Sequence, residues 1–162
     1  MTLAVTVVCQ DGVVVAADSR TTLANHRMLR VGSDFTHKVF ESGRVAVATY
    51  GDAFVGMRSI ASHMAEFAVV ESGRCDHPGP AARRLAEFFG DRYDEQMSDD
   101  PDDVSPPPMA ALGFLVGGYD DHGVGEAWEV VLPERVVEPI ATTAEGGGAA
   151  WRGQSEDRKS VV

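Results

Sequence analysis

The first residue able to do chemistry is the second in the chain. A threonine there stands one processing step from the N-terminus. An N-terminal threonine carries a nucleophile and a base in one residue, its hydroxyl and its own α-amine. Asp18 follows a second apolar run, with Arg20 two positions on. The intervening residues say how Thr2 and Asp18 meet. Thr6-Val7-Val8 and Val13-Val14-Val15 suit a pleated surface, and between them Gln10-Asp11-Gly12 carries the Asp-Gly pair of a tight hairpin. An antiparallel hairpin returns the end of the second run to the start of the first, which brings Thr2 toward Asp18. Both runs are nearly continuous in apolar residues, which predicts strands buried on both faces.

The chain that must position these residues has 162 of them, one domain of ordinary size with room for a core. Apolar residues make up 44% and charged residues 24%, near the globular average. A formal charge of −11 with no basic stripe argues against a nucleic-acid or anionic-membrane surface. Neither a signal peptide nor a membrane-spanning run is evident, so the cytoplasm is the default location. Cys9 and Cys75 form no CxxC pair and read as free thiols. The histidines at 26, 37, 63, 77 and 122 lack metal-ligand spacing, so no metal or cofactor is expected.

Along the chain, a polar stretch from Arg20 to about Asp34 precedes a second hairpin, Lys38-Val39-Phe40 and residues 44–49, turning through Glu41-Ser42-Gly43. Residues 52–71 have helical periodicity through Phe54, Met57, Ile60, Ala61, Met64, Phe67 and Ala68, with Asp52 suited to the helix start. Pro80 opens a second helix to about Met97, with Ala82, Leu85, Ala86, Phe89 and Tyr93 on one face. Residues 98–108 are acidic and proline-rich, a stiff solvated connector rather than a calcium loop. Strands are expected at 109–119, 125–132 and 135–140, then a glycine loop, Gly146-Gly147-Gly148, and a polar tail. Strands, two helices and strands again give an α+β layered domain.

Four blocks together carry a resemblance: the opening Thr2 hairpin, Ala16-Ala17-Asp18-Ser19-Arg20, His37-Lys38-Val39, and Ala48-Thr49-Tyr50-Gly51, with Leu115-Val116-Gly117-Gly118-Tyr119-Asp120 later. In these the chain resembles a proteasome β-type subunit, of the N-terminal-nucleophile hydrolase superfamily. The resemblance implies an αββα sandwich of antiparallel sheets and spans most of residues 2–148. It makes Thr2 the nucleophile once Met1 is removed. Lys38 would lie beside the Thr2 amine and lower its pKa from roughly 7.7–8.0. Asp18 would pair with Lys38, and the Gly51 amide, at a helix N-terminus, would stabilise the oxyanion. The implied reaction is peptide-bond hydrolysis through an acyl-ester on Thr2. The implied setting is a homo-oligomeric ring or similar enclosure acting on peptide or unfolded protein, with an ATP-dependent unfoldase as partner.

The chain departs from that family at three places. The loop between Asp18 and Lys38 is longer. Gly147 stands where a serine commonly supports the threonine amine. After the glycine loop only residues 149–162 remain, too polar to build the second helical layer. The expectation is therefore a shortened proteasome β-like domain over 1–148 with its second helical layer largely missing, a polar tail over 149–162, and a sheet face left bare or covered by a partner. A compact monomer that unfolds cooperatively would contradict it. Two other functions stand beside the threonine-type peptidase: a catalytically silent structural subunit, and an amide hydrolase of the same superfamily acting on small molecules.

Overall fold

A computed structural model describes residues 2–25, 28–98 and 112–153. The chain opens with the expected hairpin, though its turn is Gln10-Asp11 and Gly12 already belongs to the second strand: β1 (Leu3–Cys9) and β2 (Gly12–Ala17) pair antiparallel, Ala4 opposite Ala17 and Cys9 opposite Gly12. Next come β3 (Thr21–Asn25), β4 (Met28–Ser33), β5 (Val39–Ser42), β6 (Val45–Tyr50), and two short strands, β7 (Phe54–Val55) and β8 (Arg58–Ser59). Helices α1 (Ile60–Val70) and α2 (Pro78–Ser98) follow. The described chain ends with β9 (Leu112–Tyr119), β10 (Gly125–Leu132), β11 (Val136–Thr142), a short 3-10 turn at Thr143–Glu145, and β12 (Gly148–Gly153).

Two sheets matter for function. One has three strands in the order β12-β1-β2, the other five in the order β11-β10-β9-β6-β5, all paired antiparallel. Strand alternation divides the five-stranded sheet into two faces. Val45, Val47, Phe114, Val116, Val130 and Leu132 face the helices, where they pack with Phe67, Leu85, Phe89 and Tyr93. Ala48 and Leu115 face the other way and meet Ala4, Val15 and Ala17 of the three-stranded sheet. The layers are therefore helix, sheet, sheet, the α+β arrangement expected.

The helix-side core carries most of the apolar burial. Phe89 of α2 is fully buried with its ring 4.8 Å from that of Phe114 and 5.3 Å from that of Phe88. Phe89→Ala is expected to remove about 3–5 kcal/mol and lower the melting temperature by about 10 °C, read by calorimetry.

Several expectations are corrected. Residues 52–59 are not helical. Gly51 and Gly56 take left-handed backbone angles (φ 88° and 60°), β7 and β8 pair around the Gly56-Met57 turn, and Ser59 caps α1 by accepting from the Ser62 amide. Phe54 and Met57 are accordingly exposed, while Ile60, Met64 and Phe67 are buried. The second helix opens at Pro78, not Pro80. The polar stretch after Arg20 is the β3–β4 hairpin, because a backbone ladder can satisfy its amides and carbonyls without an apolar pattern.

The strands of the first hairpin are not buried on both faces. Thr6 and Val8 point inward, but Leu3, Val14 and Trp151 lie exposed on the outer face, which no helix covers among the described residues. Residues 149–153 belong to β12 rather than to a tail. The connector at 99–108, the first residues of the strand expected at 109–119, and 154–162 fall outside the described residues.

Candidate active site

The hairpin sets the first two residues of the site. The Leu3 amide donates to Asp18 Oδ1 at 2.9 Å, and the Asp18 amide donates back to the Leu3 carbonyl at 2.9 Å. Asp18 thus grips the chain one residue after Thr2. A third amide, that of Arg20, reaches its other oxygen at 3.3 Å.

Lys38 arrives just ahead of β5, its backbone held by the Thr49 amide, which donates to the Lys38 carbonyl at 2.9 Å. Its side chain is only 8% exposed. The ammonium donates to Thr2 Oγ1 at 3.2 Å, to Asp18 Oδ1 at 3.0 Å, and to the Arg20 carbonyl. Three donors meet three acceptors, so the buried charge is satisfied. The Arg20 carbonyl is itself placed from the β4 side: Arg20 pairs with Asp34 at 2.8 Å, Ser19 Oγ donates to the Asp34 carbonyl at 2.7 Å, and the Thr36 amide donates to the Ser19 carbonyl at 2.8 Å. Asp34 and Thr36 thus brace the segment that carries Ser19 and Arg20.

The charges favour an oxyanion on threonine. With the ammonium donating to Oγ1, the hydroxyl proton must point elsewhere, and negative charge developing on that oxygen has a cation 3.2 Å away. Burial alone pushes the Asp18 carboxyl up. The Leu3 amide, the Lys38 ammonium and the Arg20 amide outweigh it and hold the group below its ordinary range. Asp18 is thus an anion at neutral pH, and Lys38 lies between it and Thr2.

Thr2, Asp18 and Lys38 come together as expected. Gly51 follows the last residue of β6, but no helix begins there: α1 starts at Ile60, and the expected dipole at Gly51 is absent. The glycine loop is also corrected. Gly147 lies against the Val8 carbonyl at the far end of β1, about 20 Å of strand from Thr2. A side chain there would meet that oxygen at 2.3 Å on a backbone of φ 84°, so its missing hydroxyl has no bearing on Thr2. The residue beside Thr2 is Gly153, opposite Leu3 in the β12–β1 register, and a Cβ on it would lie 2.3 Å from the Thr2 carbonyl oxygen. Sequence reasoning passed over Gly153 because only strand pairing distinguishes it from the more conspicuous glycine run.

No protein-family model matches the chain. No curated protein matches it either. Solved structures do. Anbu from Yersinia bercovieri, described as an ancestral beta-subunit, aligns with a TM-score of 0.60 at 17% identity over 98% of this chain and 63% of that one. A Gly-1 mutant of Anbu from Hyphomicrobium sp. strain MC1 gives 0.60 at 17% over 93% of this chain and 60% of that one. The helical assembly of the Anbu complex from Pseudomonas aeruginosa gives 0.58 at 18% over 95% and 61%. The fold is that of the N-terminal-nucleophile hydrolases. These neighbours correct the resemblance drawn from sequence: the similarity is to Anbu, a proteasome-like protein of distinct identity, and not to the proteasome β-type subunit itself. At such identities the likeness is one of fold, and the chain spans less than two thirds of each of these three structures.

Proposed function

We propose that the protein is a threonine-type hydrolase of amide bonds, with peptides as its substrate class and Thr2, freed of Met1, as its nucleophile. The observation that carries this reading is the Lys38 ammonium shared between Thr2 Oγ1 and Asp18. Thr2 Oγ attacks the substrate carbonyl as its proton passes to the Thr2 amine, directly or through a water. Lys38 supports the charge on the threonine oxygen, and the Gly51 amide receives the oxyanion of the tetrahedral intermediate. The amine leaving group departs with the proton, and water then hydrolyses the acyl-ester and restores Thr2. With Met1 in place the nitrogen of Thr2 is an amide without basicity, and the site is silent. A homo-oligomeric assembly is part of the same proposal, supported by the helical assembly formed by one solved neighbour.

The test joins N-terminal mass spectrometry to labelling with a β-lactone. Loss of Met1 and one adduct per chain on Thr2 are expected, with Thr2→Ala unlabelled. Retained Met1 and no adduct would instead leave a structural subunit without activity. Turnover of small amides but not of peptides would move the substrate class.

A further inference from the structure

A polar group centred on a buried carboxylate joins the two sheets beside the backbone of the site. Tyr50, the last residue of β6, donates its hydroxyl to Glu129 Oε1 of β10 at 2.5 Å. Arg152 of β12 donates from Nε and Nη2 to the two Glu129 oxygens, a forked pair that joins one sheet to the other. Glu129 is 9% exposed. Burial pushes its carboxyl up, but the Arg152 fork and the Tyr50 hydroxyl outweigh this and hold it below the ordinary range. Burial, together with Glu129, pushes the Tyr50 hydroxyl far up. Tyr50 stays a donor and Glu129 an acceptor at any working pH, so the link does not titrate away.

The placement of each member ties it to the site. Tyr50 immediately precedes Gly51. Arg152 immediately precedes Gly153, which touches the Thr2 carbonyl, and faces Ala4 across the β12–β1 pair. The Tyr50 ring also has a prepared seat: it lies over Gly113, its cross-strand partner, where a Cβ would come within 2.1 Å of the ring. The two backbones that must hold the nucleophile and the oxyanion donor are thus joined through one carboxylate.

We infer that Tyr50, Glu129 and Arg152 are positioning residues that fix the separation between Thr2 and the Gly51 amide, and through it the rate of acylation. This rests on the function proposed above. A misplacement of about an ångström at a reacting centre can slow the reaction on the order of 100-fold, so a partial loosening is expected to give about tenfold.

The experiment measures inactivation of the Met1-free chain by a β-lactone in the wild type, Tyr50→Phe, Arg152→Lys and the double variant, with folding followed by circular dichroism. The maximal inactivation rate is expected to fall about tenfold in each single variant, with KI within about twofold of wild type. The double variant should be no slower than the slower single, because the residues act as one device. The pH at which the rate rises should be unchanged, since the base is untouched. Unchanged rates in folded variants would overturn the inference, as would a displaced pH profile. Tyr50→Phe removes one hydroxyl only and decides alone if Arg152→Lys does not fold. A Met1-free wild type that forms no adduct overturns the Thr2 reading and this inference with it; a labelled wild type with unaffected variants overturns this inference alone.

Discussion

Lys38→Met is expected to slow acylation of Thr2 by about 10³-fold, the order seen when a donor to developing charge is removed from an active site. Methionine nearly matches the length and apolar stem of lysine but takes the donor away from Thr2 Oγ1, the Arg20 carbonyl and Asp18 Oδ1, the last of which keeps the Leu3 amide. The accompanying stability loss should be smaller, about 1–2 kcal/mol, because Asp18 remains 33% exposed and water can take over part of its solvation. Rate and stability therefore separate, and labelling kinetics beside a urea titration read both. Asp18 adds a pH signature. Its carboxyl titrates below the ordinary range in the folded protein. Its contribution is therefore complete above about pH 4, the unfolded value, and is lost as pH falls through the lower folded value. Any loss of wild-type labelling between about pH 5 and pH 7 is then not due to Asp18. A stability decline beginning near neutrality in the wild type and absent from Asp18→Asn would contradict this.

Gly153→Ala should be the most damaging single methyl group near the site. Its Cβ would stand 2.3 Å from the Thr2 carbonyl oxygen, a backbone atom with no rotamer to move aside. Either Thr2 or the end of β12 must shift, and a shift of Thr2 relative to Lys38 of about an ångström implies on the order of 100-fold slower labelling. β12 is an edge strand, and Gly153 is not among the glycines with positive φ, so the fold itself should accommodate the change with a melting temperature lowered by only a few degrees, about 1 kcal/mol. Labelling at the wild-type rate would show that the chain start is not held by β12.

What could be read from sequence depended on how local the cause was. Thr2 meeting Asp18 follows from one two-residue turn, because a hairpin register is fixed by its turn. The face of α2 was legible from the spacing of Leu85, Phe89 and Tyr93, all of which are buried. Lys38 entered only through the resemblance, since nothing in its neighbours says that its ammonium turns toward residue 2. The surroundings of Gly51 were misjudged because Phe54 and Met57 happen to fit a helical period, while the left-handed glycines at 51 and 56 and the Ser59 cap place the start of α1 at Ile60. Gly153 and the Tyr50–Glu129–Arg152 group were not legible at all. Each depends on which strand lies beside which, and residues 50, 129 and 152 share nothing in sequence.

The outer face of β1 and β12, uncovered among the described residues, also gives the molecule an optical reporter. The chain has two tryptophans. Trp128 packs beneath the Arg83 guanidinium, 5.7 Å from its ring, and donates to Glu126 at 2.9 Å. Trp151 projects from the uncovered face and is 60% exposed. Emission from the isolated chain should accordingly carry a red-shifted, readily quenched component from Trp151. Any polypeptide that settles on that face would turn this component blue and shield it from acrylamide, while leaving Trp128 as it was.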